Sequence, residues 1–401
     1  MRQFTKAFTQ QEAISDEAIA QAVSILKTGR LHRYNLVGDE LGAVAQLEED
    51  YAKWQGQPYC LATTSGGTAI QLALRAAGVE AGDLVLANAY TLAPVPGAIY
   101  NTGGKPVLVE IDHNYHIDLA DLEAKAKASK ARFLLLSHMR GHIGDMAAIM
   151  AIAKAYDITV IEDCAHTMGA LYNGVRSGNF GHVAAFSTQT YKHINSGEGG
   201  LLTTSDPLIA AKAIIMSGSY MLYERHGARP DASIFEEIRT KMPNFSCRLD
   251  HLRASIILAQ LPDLEAKITR WNQLYNTLDT GLREIKGVSL PKRPQAEFYV
   301  GSSIQFRVDS LDKDGIPDFV KDCATCGVEL KWFGADRPAA FTSRYDSWEY
   351  LDDIPDLPAT KKALDKTLDM RVPLTFDEDD CRLITSIIGE VLARHEAQIL
   401  R

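Results

Sequence analysis

A chain of 401 residues is too long for one small domain, and its 46% hydrophobic and 23% charged residues permit a sizeable core. A formal charge of -9 with no basic block to offset it argues against nucleic acid as a partner. The start of the chain lacks an apolar signal region and no run is long enough to span a bilayer. A soluble, cytoplasmic protein without membrane partners is therefore expected.

Helices are expected over residues 12–28 and 40–54, where apolar positions recur at helical spacing and glycine stops each run. Short apolar runs then alternate with helical stretches. The runs are "YCLATT", "DLVLANA", "PVLVEI", "RFLLLSH", "ITVIEDCA", "HVAAFST" and "GGLLTTS". Continuous apolar strands separated by helices read as a mainly parallel sheet buried on both faces, over roughly residues 57–240. "KAKASKAR" (125–132), the densest basic run, reads as a solvated helix end. From about residue 250 one long helical segment leads into an α+β tail with strands at "SIQFRV" and "VELKWF", and helices at "IPDFVKDCATCG" and "DCRLITSIIGEVLARHEAQIL". The six cysteines include one close pair, Cys323 and Cys326, with no second half for a zinc site.

In a doubly wound sheet, ligands gather beyond the carboxyl ends of the strands, and four loops there are chemically unusual. "TTSGGTA" (63–69) lets the backbone approach an anion and aims the start of a helix, near Thr68, at it. Alone it reads more readily as a plain helix cap after a tight turn. "VIEDCAH" (160–166) ends an apolar strand in Glu162, Asp163 and His166. A carboxylate there needs a cationic partner, such as a protonated pyridine nitrogen, unless it merely caps a helix. "STQTYKHINSGEGG" (187–200) sets Lys192 among small polar residues. A semi-buried amine of this kind suits condensation with an aldehyde cofactor. "MPNFSCRLDHLRASI" (242–256) crowds Asn244, Ser246 and Arg248 at a helix start, where they either cap it or reach a neighbouring subunit.

Taken in order, "SGGTAIQLAL", "EDCAHTMGA", "STQTYKHINSGEGG" and "SCRLDHLRASIILAQL" resemble the motifs of the DegT/DnrJ/EryC1/StrS sugar aminotransferases. The resemblance runs from about residue 12 through nearly the whole chain. It implies an α/β, aspartate aminotransferase-like fold type I, with a mainly parallel seven-stranded sheet in residues 1–250 and a smaller α+β domain in 251–401. It also implies a homodimer with active sites at the subunit interface. The implied cofactor is pyridoxal 5'-phosphate, with pyridoxamine 5'-phosphate as its intermediate form.

Position by position, the resemblance makes Lys192 the catalytic lysine that bonds the cofactor and Asp163 the partner of its ring nitrogen. His166 stands where the family usually has Gln, near the ring hydroxyl, and Gln189 where it often has His. Gly67, Thr68 and Ser187 fall at the phosphate, with Asn244 or Ser246 added from the partner subunit. Leu92 occupies the family's stacking position, which leaves Tyr90, or no aromatic, to cover the ring.

"GRLHRY", "SHMRGHIGDM" and "TQTYKHINSGEGG" are also similar to a branch of the family that makes 8-amino-3,8-dideoxy-manno-octulosonate for lipopolysaccharide. That likeness implies a glutamate donor and the 8-oxo form of 3-deoxy-manno-octulosonate as acceptor. It places Arg140 at a substrate carboxylate or a local acid, and Arg33 and His32 near substrate. Nucleotide-linked keto sugars or cyclitols, a same-fold sugar dehydratase and a non-enzymatic ligand sensor are the competing readings.

Overall fold

The computed structural model describes residues 2–399 except Thr342. Two helices open it, α1 (Asp16–Thr28) and α2 (Ala43–Gln55). Ser15 caps the first by accepting from the Ala18 amide, and Gly29 and Gly56 end the two helices in left-handed conformation.

Then come β1 (Tyr59–Thr63), α3 (Gly66–Ala77), β2 (Leu84–Asn88), α4 (Pro94–Thr102), β3 (Lys105–Val109), α5 (Leu119–Ser129), β4 (Phe133–Ser137), α6 (Met146–Ala155) and β5 (Thr159–Asp163). A short hairpin, β6 (Leu171–Tyr172) and β7 (Val175–Arg176), precedes β8 (Val183–Ser187), β9 (Gly200–Thr204), α7 (Pro207–Gly218) and α8 (Ala232–Glu236). Seven strands form one sheet in the order β1-β9-β8-β5-β4-β2-β3, with only β9 antiparallel to its neighbours. The mainly parallel, seven-stranded expectation therefore holds. Nearly every strand residue is buried because helices cover both faces.

The register aligns Ser137 with Asp163, and Ser187 and Thr63 with Gly200. The ends of β1, β4, β5 and β8 therefore share one edge with the start of β9.

The expected single long helix after residue 250 is broken. It forms α9 (His251–Gln260), a 3-10 turn at Leu261–Asp263 and α10 (Leu264–Arg283). Pro262 is the cause, since it lacks the amide that a continuous helix needs. The tail continues with β10 (Val288–Ser289), β11 (Glu297–Phe298), β12 (Ser303–Val308), α11 (Ile316–Thr325), β13 (Lys331–Trp332), α12 (Pro358–Leu364), β14 (Thr367–Arg371) and α13 (Glu378–Ile399). The last residue of the expected final helix, Leu400, lies outside the described residues. Strands β10, β12, β14 and β13 form an antiparallel sheet in that order, while β11 pairs back with β6 in the earlier part of the chain.

Helix α1 packs on α9, and α2 on β1 and α9. The residues before α1 go elsewhere. Phe4 and Phe8 each lie 5.0 Å from the Phe376 ring, and the Phe4 amide donates to the Cys326 carbonyl at 2.9 Å. Among the described residues no helix is long and apolar enough to cross a membrane.

Candidate active site

The loop from β8 to β9 closes on itself, with the Thr188 amide donating to Gly199 O and the Thr190 amide to Gly197 O. A side chain at Gly199 would meet Thr188 Oγ1 at 2.2 Å, so only glycine permits this closure. Lys192 sits within the loop, and its Nζ lies 2.9 Å from His166 Nε2. Burial first, and Arg140 next, lower the amine from 10.5 to about 7. Burial and Lys192 together hold His166 well below its ordinary value, so its imidazole is neutral and accepts the amine's proton. Such an amine spends much of its time unprotonated at neutral pH, as a nucleophile must.

Asp163 ends β5 on the same edge. Its Oδ2 accepts from Ser137 Oγ at 2.7 Å and its Oδ1 from the Ala165 amide at 3.1 Å. The Ser137 hydroxyl in turn accepts from Thr91 Oγ1 at 2.8 Å, which fixes its direction. Asp163 is buried and has no ion-pair partner among the described residues. A buried carboxylate in that state calls for a cation. Its neighbour Glu162 is already satisfied by His138 Nε2 and the amides of Gly178, Phe180 and Gly181, so it belongs to the core.

Ser65 caps α3 through the Thr68 amide, and its hydroxyl lies 2.9 Å from Thr68 Oγ1. A Cβ on Gly66 would come within 2.7 Å of Ser187 Cβ, and one on Gly200 within 2.2 Å of Ser65 O. The glycines thus let three strand ends converge at the positive end of a helix, while the space beside Gly67 stays open to 3.9 Å. Ser187 Oγ accepts from the Gln189 amide, and Gln189 Oε1 from the Tyr191 amide at 3.0 Å.

A glycine-lined helix end, a buried carboxylate lacking a cation and a depressed amine fit the phosphate, ring nitrogen and aldehyde of pyridoxal phosphate in turn.

Other expected residues sit differently. Tyr90 is buried in a cluster with its ring 5.4 Å from Tyr115 and 5.2 Å from Phe333. Leu92 is half-buried against the same cluster. Arg33 is buried too. Its guanidinium makes a buried bidentate pair with Glu48 at 2.9 and 3.0 Å and contacts His226 Nδ1 at 3.0 Å. Its Nε is buried without a partner.

His32 is exposed beside Tyr34. Asn244 and Ser246 are exposed and bonded to each other, and Ser246 Oγ also accepts from Arg248 Nη2 at 2.7 Å. Arg140 is buried in left-handed conformation, with φ at 55°, and donates to Asp369 Oδ2 at 2.8 Å.

Sequence reasoning missed the contribution of the tail. Arg371 at the end of β14 lies over the Tyr191 ring at 3.7 Å, and Phe341 meets Arg140 at 4.7 Å and Arg371 at 5.3 Å. A cavity joins Lys192, His166, Arg140 and Tyr191 to Arg371 and Ser302. The available signal was the pair of charges in "TLDMR", an unusual load for a buried strand.

The sequence profile of the DegT/DnrJ/EryC1/StrS aminotransferase family matches residues 13–388. The chain is 30% identical over 368 residues to the UDP-2-acetamido-2-deoxy-3-oxo-D-glucuronate aminotransferase of Pseudomonas aeruginosa, covering 88% of this chain and 96% of that protein. It is 30% identical over 317 residues to the pleiotropic regulatory protein of Geobacillus stearothermophilus, covering 78% of this chain and 79% of that protein. Its fold matches the aminotransferase structure from Psychrobacter cryohalolentis with a TM-score of 0.83 at 22% identity, over 97% of this chain and 99% of that one. These findings agree with the geometry: the chain belongs to the DegT/DnrJ/EryC1/StrS aminotransferase family.

Proposed function

We propose that this sugar aminotransferase moves the amino group of L-glutamate to the 8-oxo form of 3-deoxy-manno-octulosonate, giving the 8-amino sugar acid for lipopolysaccharide. Pyridoxal phosphate, when bound, supplies an aldehyde for the amine and a ring that withdraws electrons from the reacting carbon. Lys192 would hold it through its amine, and that same amine would move the proton at the amino acid's Cα. Asp163 keeps the ring nitrogen protonated, held in place by Ser137. Gly67, Thr68 and Ser187 receive the phosphate, His166 the ring's hydroxyl side, and Gln189 buttresses the lysine loop.

One observation carries the reading: a lysine amine lowered to about 7 on the strand-end edge that also carries an unpaired buried aspartate. The purified protein should be yellow. Glutamate should convert the cofactor to its pyridoxamine form and release one equivalent of 2-oxoglutarate. The pyridoxamine form should then aminate an 8-oxo octulosonate in preference to nucleotide-linked 3- and 4-keto sugars. Preference for a nucleotide sugar would favour the second reading, which the name of the Pseudomonas relative supports. Loss of water from a keto sugar with no donor half-reaction would make the enzyme a dehydratase.

The working unit in this proposal is a homodimer. Ile19, Val23 and Leu26 of α1 and Tyr220, Met221, Leu222 and Phe245 leave large apolar side chains exposed. Asn244 and Ser246, beside the second group, would complete the partner's phosphate site. Residues 1–250 and 251–401 are taken as large and small domains, with Phe4 and Phe8 packing the start of the described chain onto the small one.

A further inference from the structure

We propose that Arg140 and Arg371 together form a carboxylate site beside Lys192, with Arg371 the residue that selects substrates bearing a free carboxylic acid. The inference rests on the aminotransferase reading of Lys192 and adds to it the residue that selects the carboxylate.

The two guanidiniums come from different parts of the chain, the turn after β4 and the end of β14. Both flank the Phe341 ring, and Arg371 is further held over Tyr191. Among the described residues one carboxylate pairs with them, while the exposed Glu329 lines a pocket with Arg371 but makes no ion pair with it. Asp369 gives Oδ2 to Arg140 Nη2 at 2.8 Å and Oδ1 to Gln305 Nε2 at 2.7 Å, and Gln305 Oε1 lies 2.7 Å from His142 Nε2. Asp369 is therefore committed.

Arg371 is half-buried with no carboxylate in ion-pair reach among the described residues. The Nε of Arg140 is buried without a partner. The residues that carry this excess positive charge and unused N–H line a cavity together with Lys192 and His166. Planar guanidiniums match a carboxylate's two oxygens, and a desolvated cation of this kind is stabilised by an anion that brings its own charge. The same chemistry arrives from two sources, the amino-acid donor and a sugar-acid acceptor.

The test is calorimetric titration of the holoenzyme with three non-reacting probes: glutarate for the donor, gluconate for a sugar acid, and uridine diphosphate. Arg371→Leu should weaken glutarate, gluconate or both by about tenfold or more, the usual scale for a charge-assisted pair. Arg371→Lys should fall between Leu and wild type. The affected probe names the source: glutarate alone points to the donor, gluconate alone to the acceptor, and both to a shared site.

Matching thermal unfolding of the Lys and Leu variants separates binding from folding. If Leu does not fold, the Lys variant alone decides, with a loss of threefold or more expected. The proposal is overturned if wild type binds neither acid, if both acids bind the variants as they bind wild type, or if uridine diphosphate displaces glutarate. The parent reading fails separately, by a cofactor not bonded to Lys192, and glutarate binding would not report that.

Discussion

Replacing Arg33 by Met distinguishes a structural cation from a substrate-binding one. The side chain is 1% exposed and its partner Glu48 is 0% exposed, so the pair is fully desolvated. Arg33 is only a donor, so His226 Nδ1 must accept from it and His226 Nε2–H must donate to the Tyr34 hydroxyl at 2.8 Å. Glu48 also accepts the Ala62 amide at 3.0 Å, which ties α2 to β1. Without the guanidinium, Glu48 keeps its charge in the core with the Ala62 amide and the His226 ring, 3.3 Å away, as compensation, at a cost of about 3–5 kcal/mol. That is a large share of the roughly 5–15 kcal/mol of a typical domain.

The pH dependence carries the sign. Despite its burial, Arg33 and His226 hold the Glu48 carboxyl down at about 2. Its contribution is present above the ordinary value of 4.5 and is lost as pH falls through 2. Burial and Arg33 lower His226 to about 4, so its contribution as a neutral ring is lost between 6.5 and 4. Wild type should therefore weaken on acidification. In Arg33→Met the orphaned Glu48 carboxyl instead rises above its ordinary value, so the deficit against wild type should narrow from pH 7 to pH 5. Urea unfolding at the two pH values reads this, and the KM for glutamate of the folded fraction should stay within about twofold. A variant within about 1 kcal/mol of wild type whose KM rises tenfold would refute the reasoning and return Arg33 to the substrate.

Gly66→Ala should cost about 1–3 kcal/mol by overpacking against Ser187 and weaken cofactor uptake in an absorbance titration. Equal affinity would remove Gly66 from the phosphate cradle. In cofactor-free protein, competitive acetylation followed by mass spectrometry should show Lys192 gaining reactivity as pH rises through about 7, while exposed lysines respond near 10.5. A Lys192 profile like that of the exposed lysines would mean the amine is not desolvated. Leu26→Glu on the exposed face of α1 should shift sedimentation from dimer to monomer with loss of activity, and a fully active monomer would contradict the shared site.

The large sheet was legible because each of its strands is an uninterrupted apolar run, bounded by helices with caps such as Ser65 and Asp118. Lys192, Asp163 and the glycines were legible too, since local motifs place them at strand ends. Helix α7 escaped notice because it is apolar on nearly every side and shows no amphipathic period. The strands β6, β7 and β11 are two residues each, too short to leave a pattern.

Strand β14 hides a buried Asp369, whose charge makes sense only beside Arg140 and Gln305, which lie far away in the chain. The setting of Arg33 was hidden for the same reason: its partners, on α2 and in the segment between α7 and α8, come together only on folding. Tyr90 sat at the right loop but its ring turns into the core, a choice made by Tyr115 and Phe333.

The central claim is the bond between Lys192 and the cofactor. Borohydride reduction of the holoenzyme, followed by digestion and peptide mapping, should fix the pyridoxyl group on the peptide that contains Lys192 and nowhere else. A label on another lysine, or none on a protein that still aminates its acceptor, would contradict the account.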